Sequence, residues 1–165
     1  MRGAGVVVLA ATGGWEPSLA REARSGRLVI FESAAGFGDR RGFEDQRAGL
    51  ALDFDLRIEA PVSLWHDGTR PPYLDLVWPV RARVRDFSLT TPVRGGEVVG
   101  RIGGLPVAAL RRTGSGALLF LGSPVGPALW SGDAQAHAWL GSVVAAFEKH
   151  PQGGTPEGPR VVAVC

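Results

Sequence analysis

The chain has a single cysteine, Cys165, among 165 residues. One thiol closes no disulfide within the chain and builds no cysteine metal centre. Lysine is nearly missing as well: of 18 basic residues, all but Lys149 are arginine. No apolar stretch approaches the roughly 18 residues that a membrane-spanning helix requires. The short run from Val6 lacks the length and cleavage pattern of a secretory signal. The three histidines, His66, His137 and His150, have no ligand spacing to one another or to a carboxylate cluster, so no metal site is expected. Gly13-Gly14 and Gly103-Gly104 fit neither G-x-G-x-x-G nor a P-loop, so no nucleotide cofactor is expected. These absences point to a cytoplasmic domain without cofactor, membrane or nucleic-acid partner.

The formal net charge is only +2, with 21% of residues charged and 45% hydrophobic. That balance suits one soluble domain with a sizeable core. Arg81, Arg83 and Arg85 alternate, which puts three guanidinium groups on one face of an extended segment. A solvated strand face accounts for them more simply than a nucleic-acid surface.

The richest stretch is 101–126, RIGGLPVAALRRTGSGALLFLGSPVG. Gly103-Gly104 and Gly114–Gly116 punctuate β-rich runs as hairpin turns do. Val6–Ala11 and Arg27–Glu32 read as buried strands, with a helix over Glu16–Ser25 closed by Gly26. Ser33–Gly42 reads as a polar loop, Phe43–Leu50 as helical and Asp53–Ala60 as a strand. The segment Pro61–Pro79 reads as irregular, and Val80–Leu89 alternates again. Asp133 is a candidate N-cap for a helix through Lys149, whose Ala136, Leu140, Val143, Val144 and Phe147 share one face. After the Gly/Pro linker Gln152–Pro159, Arg160–Cys165 is expected to form a strand beside Val6–Leu9, in its own chain or a neighbour's. The expected organisation is one domain over 1–150, then linker and strand over 151–165.

This order, with SGRLVIFESAAGFGDRRGF and EVVGRIGGLPVAALRRTGSGALLFLGSPVG, resembles the class I glutamine amidotransferase-like superfamily. Within it, the non-catalytic trimerisation domain of bacterial β-galactosidases is the better likeness. The resemblance implies a flavodoxin-like, three-layer α/β sandwich with a mostly parallel sheet and an antiparallel hairpin extension. It also implies that Ser33 stands near the place of the catalytic cysteine, and Ser123-Pro124 at the place of the histidine-proline pair. Serine without a base is inert at neutral pH, so glutamine amide hydrolysis is not expected.

Ligands of open α/β sheets bind beyond the carboxyl ends of parallel strands. Three loops qualify: Thr12–Trp15, Glu32–Arg41 and Gly122–Trp130. Glu32 and Ser33, with His66 beside Asp67, are the catalytic candidates. Asp39, Arg40, Arg41, Ser123 and Trp130 are candidates for binding a small anionic or carbohydrate ligand, because arginine pairs with carboxylate or phosphate and tryptophan stacks on sugars and partner surfaces. Glu32 as a cap of backbone amides, Ser33 as a turn residue and the arginines as a surface ion-pair loop are the plainer readings. Three functions stay open: a non-catalytic domain acting in assembly or ligand binding, as a homo-oligomer or with a partner protein; a small hydrolase using Ser33 with Glu32 or His66; and an accessory domain of a carbohydrate-active enzyme.

Overall fold

The computed structural model describes residues 6–9, 14–33, 40–64, 72–87, 89–148 and 162–164. It is built on strand β1 (Val6–Leu9), helix α1 (Pro17–Arg24), β2 (Leu28–Glu32), α2 (Arg40–Phe54), β3 (Arg57–Ile58), β4 (Tyr73–Leu76) and β5 (Ala82–Arg85). There follow β6 (Val93–Arg94), β7 (Glu97–Ile102), β8 (Leu105–Thr113), β9 (Gly116–Leu121), α3 (Gly126–Trp130), α4 (Ala134–Glu148) and β10 (Val162–Val164). Among the described residues the main sheet has the order β10-β1-β2-β9-β8-β7-β4-β5, and β3 pairs with β6 apart from it.

The flavodoxin-like, mostly parallel three-layer sandwich is not what forms. The sheet is mixed and curled into half a barrel. Neighbours from β10 to β9 run parallel, and those from β9 to β5 run antiparallel. The hairpin extension is therefore half of the sheet. Two causes combine. Tyr73–Leu76, inside the stretch expected to be irregular, is a strand, and β5 folds back onto it. The connection from β2 to its parallel neighbour β9 also runs through α2 and then through strands β3 to β8.

The two halves bury their strands differently. Parallel strands covered on both sides read as continuous apolar runs, whereas a one-sided antiparallel strand alternates. In β9 every residue from Gly116 to Leu121 is buried. In β4 only Leu74 and Leu76 are buried, and Tyr73 and Asp75 face solvent. On one face, Leu28, Ile30, Leu119 and Leu121 pack with Ala136, Trp139 and Val143 of α4, together with Leu74, Leu76 and Val84. On the other, Val29, Phe31, Leu118 and Phe120 pack with Ala20 and Ala23 of α1 and Leu50 and Phe54 of α2. Phe31 and Phe120, paired in register, stack with centroids 6.3 Å apart.

Local chemistry sets the helix ends. Asp133 caps α4, its Oδ1 accepting from the Gln135 and Ala136 N–H groups at 2.8 and 2.9 Å. Helix α2 starts at Arg40, within the expected loop, and runs through Phe54 into the expected strand. Leu50 and Phe54, four apart, share the buried face, and only Arg57–Ile58 stays extended. At one end of the sheet, β10 lies parallel to β1, Val162 opposite Val7 and Val164 opposite Leu9.

Helix α2 meets Trp15 at Gly49. The indole lies edge-on to Phe31 and Phe54 and donates its N–H to Asp53 Oδ2 at 2.9 Å. A Cβ on Gly49 would sit 2.0 Å from Trp15 Cγ. Gly49→Ala is therefore expected to destabilise the fold by about 2–3 kcal/mol through overpacking. Gly141→Ala, in α4 with no atom within 4 Å of the added methyl, is expected to stabilise it by about 0.5–1 kcal/mol. Urea unfolding of both variants measures the contrast, and equal shifts of the midpoint would contradict it.

Candidate functional site: a buried polar cluster at the ends of β2 and β9

Strands β2 and β9 end side by side, with Glu32 in register with Leu121. The chain leaving β2 is held there by the Ser33 N–H, which donates to the Leu121 carbonyl at 2.8 Å. Gly122 ties in two more segments: its N–H donates to the Val107 carbonyl at 2.7 Å, and its carbonyl accepts from the Thr91 N–H at 2.8 Å. A side chain cannot stand at 122, because its Cβ would lie 1.9 Å from the Thr91 carbonyl oxygen.

Five polar side chains gather around this junction. Ser33 Oγ and Thr91 Oγ1 are 2.8 Å apart. Ser123 Oγ donates to Asp86 Oδ1 at 2.7 Å, and Thr90 Oγ1 donates to Asp86 Oδ2 at 3.1 Å. Asp86 also donates its backbone N–H to the Pro72 carbonyl at 3.0 Å. Asp86, Thr90 and Thr91 are 0% exposed, and Ser33 and Ser123 are 1% exposed.

Glu32 stands at the rim. Its Oε1 accepts from the Val125 and Gly126 N–H groups at 2.8 and 3.0 Å, at the entry to α3. Burial pushes the Glu32 carboxyl above its ordinary value, and these two backbone donors pull against that rise without cancelling it.

This arrangement is poorly made for nucleophilic catalysis. A serine nucleophile needs an adjacent base and an open approach. Ser33 and Ser123 are both sealed from solvent, so neither has that approach. Among the described histidines, His137 is exposed on α4, with Nε2 3.0 Å from the Leu129 carbonyl. His66, Asp39 and His150 lie outside the described residues. Arg40 and Arg41 are exposed in the first turn of α2. Trp130, at the end of α3, is 94% exposed. The structure thus brings Glu32, Ser33 and Ser123 to one junction. Asp86, Thr90 and Thr91, which complete it, were not among the residues expected there. No cluster of three or more potential metal ligands occurs among the described residues.

No protein-family model matches the chain, and no curated protein matches it. Solved structures do share its fold, glycosidases among them. The β-galactosidase from Bacillus circulans sp. alkalophilus aligns at 16% identity with a TM-score of 0.56, over 84% of this chain and 23% of that one. The β-galactosidase from Rahnella sp. R3 aligns at 12% identity with a TM-score of 0.64, over 87% of this chain and 22% of that one. An exo-β-1,4-mannosidase from Opitutaceae bacterium strain TAV5 aligns at 12% identity with a TM-score of 0.59, over 84% and 25%. The chain thus spans about a quarter of the length of these enzymes. The likeness is one of fold, and it agrees with the resemblance to a β-galactosidase domain. The wider amidotransferase-like assignment gains no support from it.

Asp86→Ala would strand the Ser123 and Thr90 hydroxyls in the interior, at a cost of about 3 kcal/mol or more. Ser33→Ala removes the neutral hydroxyl that meets Thr91 and should cost less, about 1 kcal/mol. Chemical denaturation ranks the two, and the reverse order would refute the assignment of Asp86 as the hub. For Glu32 the sign follows from its raised value: its contribution is complete below the ordinary 4.5 and is lost as pH rises through the folded-state value. Glu32→Gln keeps an acceptor oxygen and removes the ionisation. The stability of the variant relative to wild type should therefore increase between about pH 4 and about pH 7. Parallel melting curves across that range would show that Glu32 does not titrate in this way.

Proposed function

We propose that the chain is a non-catalytic accessory domain of a carbohydrate-active enzyme, with its domain body within 1–150 and a linker and closing strand in 151–165. The observation that carries this reading is the state of Ser33. At the carboxyl end of β2, where the family resemblance puts a nucleophile, the side chain is 1% exposed and sits against a hydroxyl. The shared fold supports the same reading, since the chain corresponds to about a quarter of each glycosidase. The alternative, a small hydrolase using Ser33, would need that hydroxyl open to substrate, and it is buried.

Trp130 fits an accessory role. Exposed indoles are enriched at contacts, where a large apolar surface carries a polar tip. Helix α3 presents this ring 94% exposed, and Glu32 holds the N-terminal end of that helix. The ring is in place to meet another part of the enzyme.

The test is direct. The purified chain should turn over neither aryl β-galactosides, aryl β-mannosides nor glutamine above the buffer rate. Turnover that fell about 100-fold in Ser33→Ala, at an unchanged melting temperature, would restore the enzyme reading.

A further inference from the structure

The described tryptophans fall into two kinds. Trp15 lies edge-on to Phe31 and Phe54 and bonds Asp53. Trp139 is buried and donates its N–H to the Trp78 carbonyl at 2.8 Å, and Trp78 packs against the same core. Trp130 is the other kind. It is 94% exposed, and no aromatic ring or guanidinium lies against it among the described residues. Its mount is nevertheless fixed. The Ser131 N–H donates to the Pro127 carbonyl at 3.0 Å, and the Asp133 N–H to the Ala128 carbonyl at 3.0 Å. Ser131 Oγ donates to the Ala128 carbonyl at 2.9 Å, and His137 Nε2 of α4 lies 3.0 Å from the Leu129 carbonyl. Glu32 holds the far end of the helix. The stretch around the ring, 121–132, LGSPVGPALWSG, carries no charged residue. Ser131 and Gly132, which follow the ring, are exposed and small.

We propose that one face of the Trp130 ring stacks on a pyranose unit of a neutral polysaccharide. The inference rests on the accessory-domain reading above and gives that domain a ligand class. The C–H groups on one side of a pyranose form an apolar patch that matches a flat ring, so stacking removes two apolar surfaces from water and leaves the sugar hydroxyls solvated. A bonded backbone and a side chain with only two torsions keep the ordering cost low. The absence of charge in 121–132 selects a neutral sugar over an anionic chain. A lipid surface would ask for further large apolar side chains beside the ring, and α3 exposes no other. A pyranose covers one face only, so the rest of the ring stays available for the contact with another part of the enzyme.

Binding is read from the indole N–H signals in two-dimensional NMR of the full chain, with linear β-galactotetraose and β-mannotetraose as probes. The Trp130 signal is the one that Trp130→Ala removes. The expected result is a saturable shift of that signal with at least one tetraose, unaltered by added salt. By calorimetry, Trp130→Ala should weaken the binding about tenfold or more, and Trp130→Phe, which keeps a smaller ring, only about threefold. No saturable shift with either sugar, equal binding by Trp130→Ala, or a Phe variant as weak as the Ala variant would overturn the proposal. A shift that follows protein concentration and not sugar would give the ring to a second copy and overturn it too. Should a variant unfold, the wild-type signal decides, and its failure to shift overturns the proposal. Ser33-dependent turnover would sink the accessory-domain reading. Absent sugar binding without turnover removes only this one.

Discussion

The parallel pairing of β2 with β9 is the contact on which the rest of the molecule is arranged. Five residues on each strand match, from Leu28 opposite Ala117 to Glu32 opposite Leu121. This is where the parallel half of the sheet meets the antiparallel half. Odd and even side chains of both strands enter different cores, so one ladder anchors α1 and α2 on one side and α4 on the other. Fully burying an aliphatic or aromatic side chain is worth about 1.5–3 kcal/mol, and these two strands supply eight of them, Leu28 to Phe31 and Leu118 to Leu121. A slip of one residue would exchange the two sets and place each in the wrong core. The register also decides where the strands stop, and hence that Ser33 and Gly122 emerge side by side.

What gathers at that end fastens the segments leaving β2, β5 and β9 to the one entering β6. Asp86, with two hydroxyl donors, joins the segment after β5 to the turn after β9. Ser33 and Thr91 join the end of β2 to the segment before β6. Each buried polar atom in these pairs would cost more unpaired than the bond gains when paired, so the set discriminates against misplaced loops. Glu32 extends the same fastening outward to α3. A junction bonded in this way holds its backbone in place.

The parts of the fold that were legible in the sequence have strong local signals. Helix α4 announces itself through the Asp133 cap and the spacing of its apolar residues, and the β7–β8–β9 hairpins through their glycine turns. The misread parts are those where two periods fit the same residues. In 53–58, DFDLRI alternates like a strand, yet Phe54 also falls four residues after Leu50, and packing against Phe31 and Trp15 settles it as helix. Strand β4 is only four residues long and lies close to prolines on both sides, which mimics a loop. At the junction, Glu32, Ser33 and Ser123 were recognisable from their places at strand ends. Asp86 had no motif to mark it. Its one signal is phase: in 82–87 it shares the inward register of Val84, and an acid in an apolar register needs buried donors.

Gln135 has a consequence for how anything can join this domain at β5. Its Oε1 accepts from the Arg83 backbone N–H at 2.9 Å, so a helix side chain occupies a main-chain donor on the outer margin of the sheet. An incoming strand would have to displace that amide before it could zip on. Addition of a ninth strand there, the usual route by which exposed sheet borders recruit passing chains indiscriminately, is thereby discouraged.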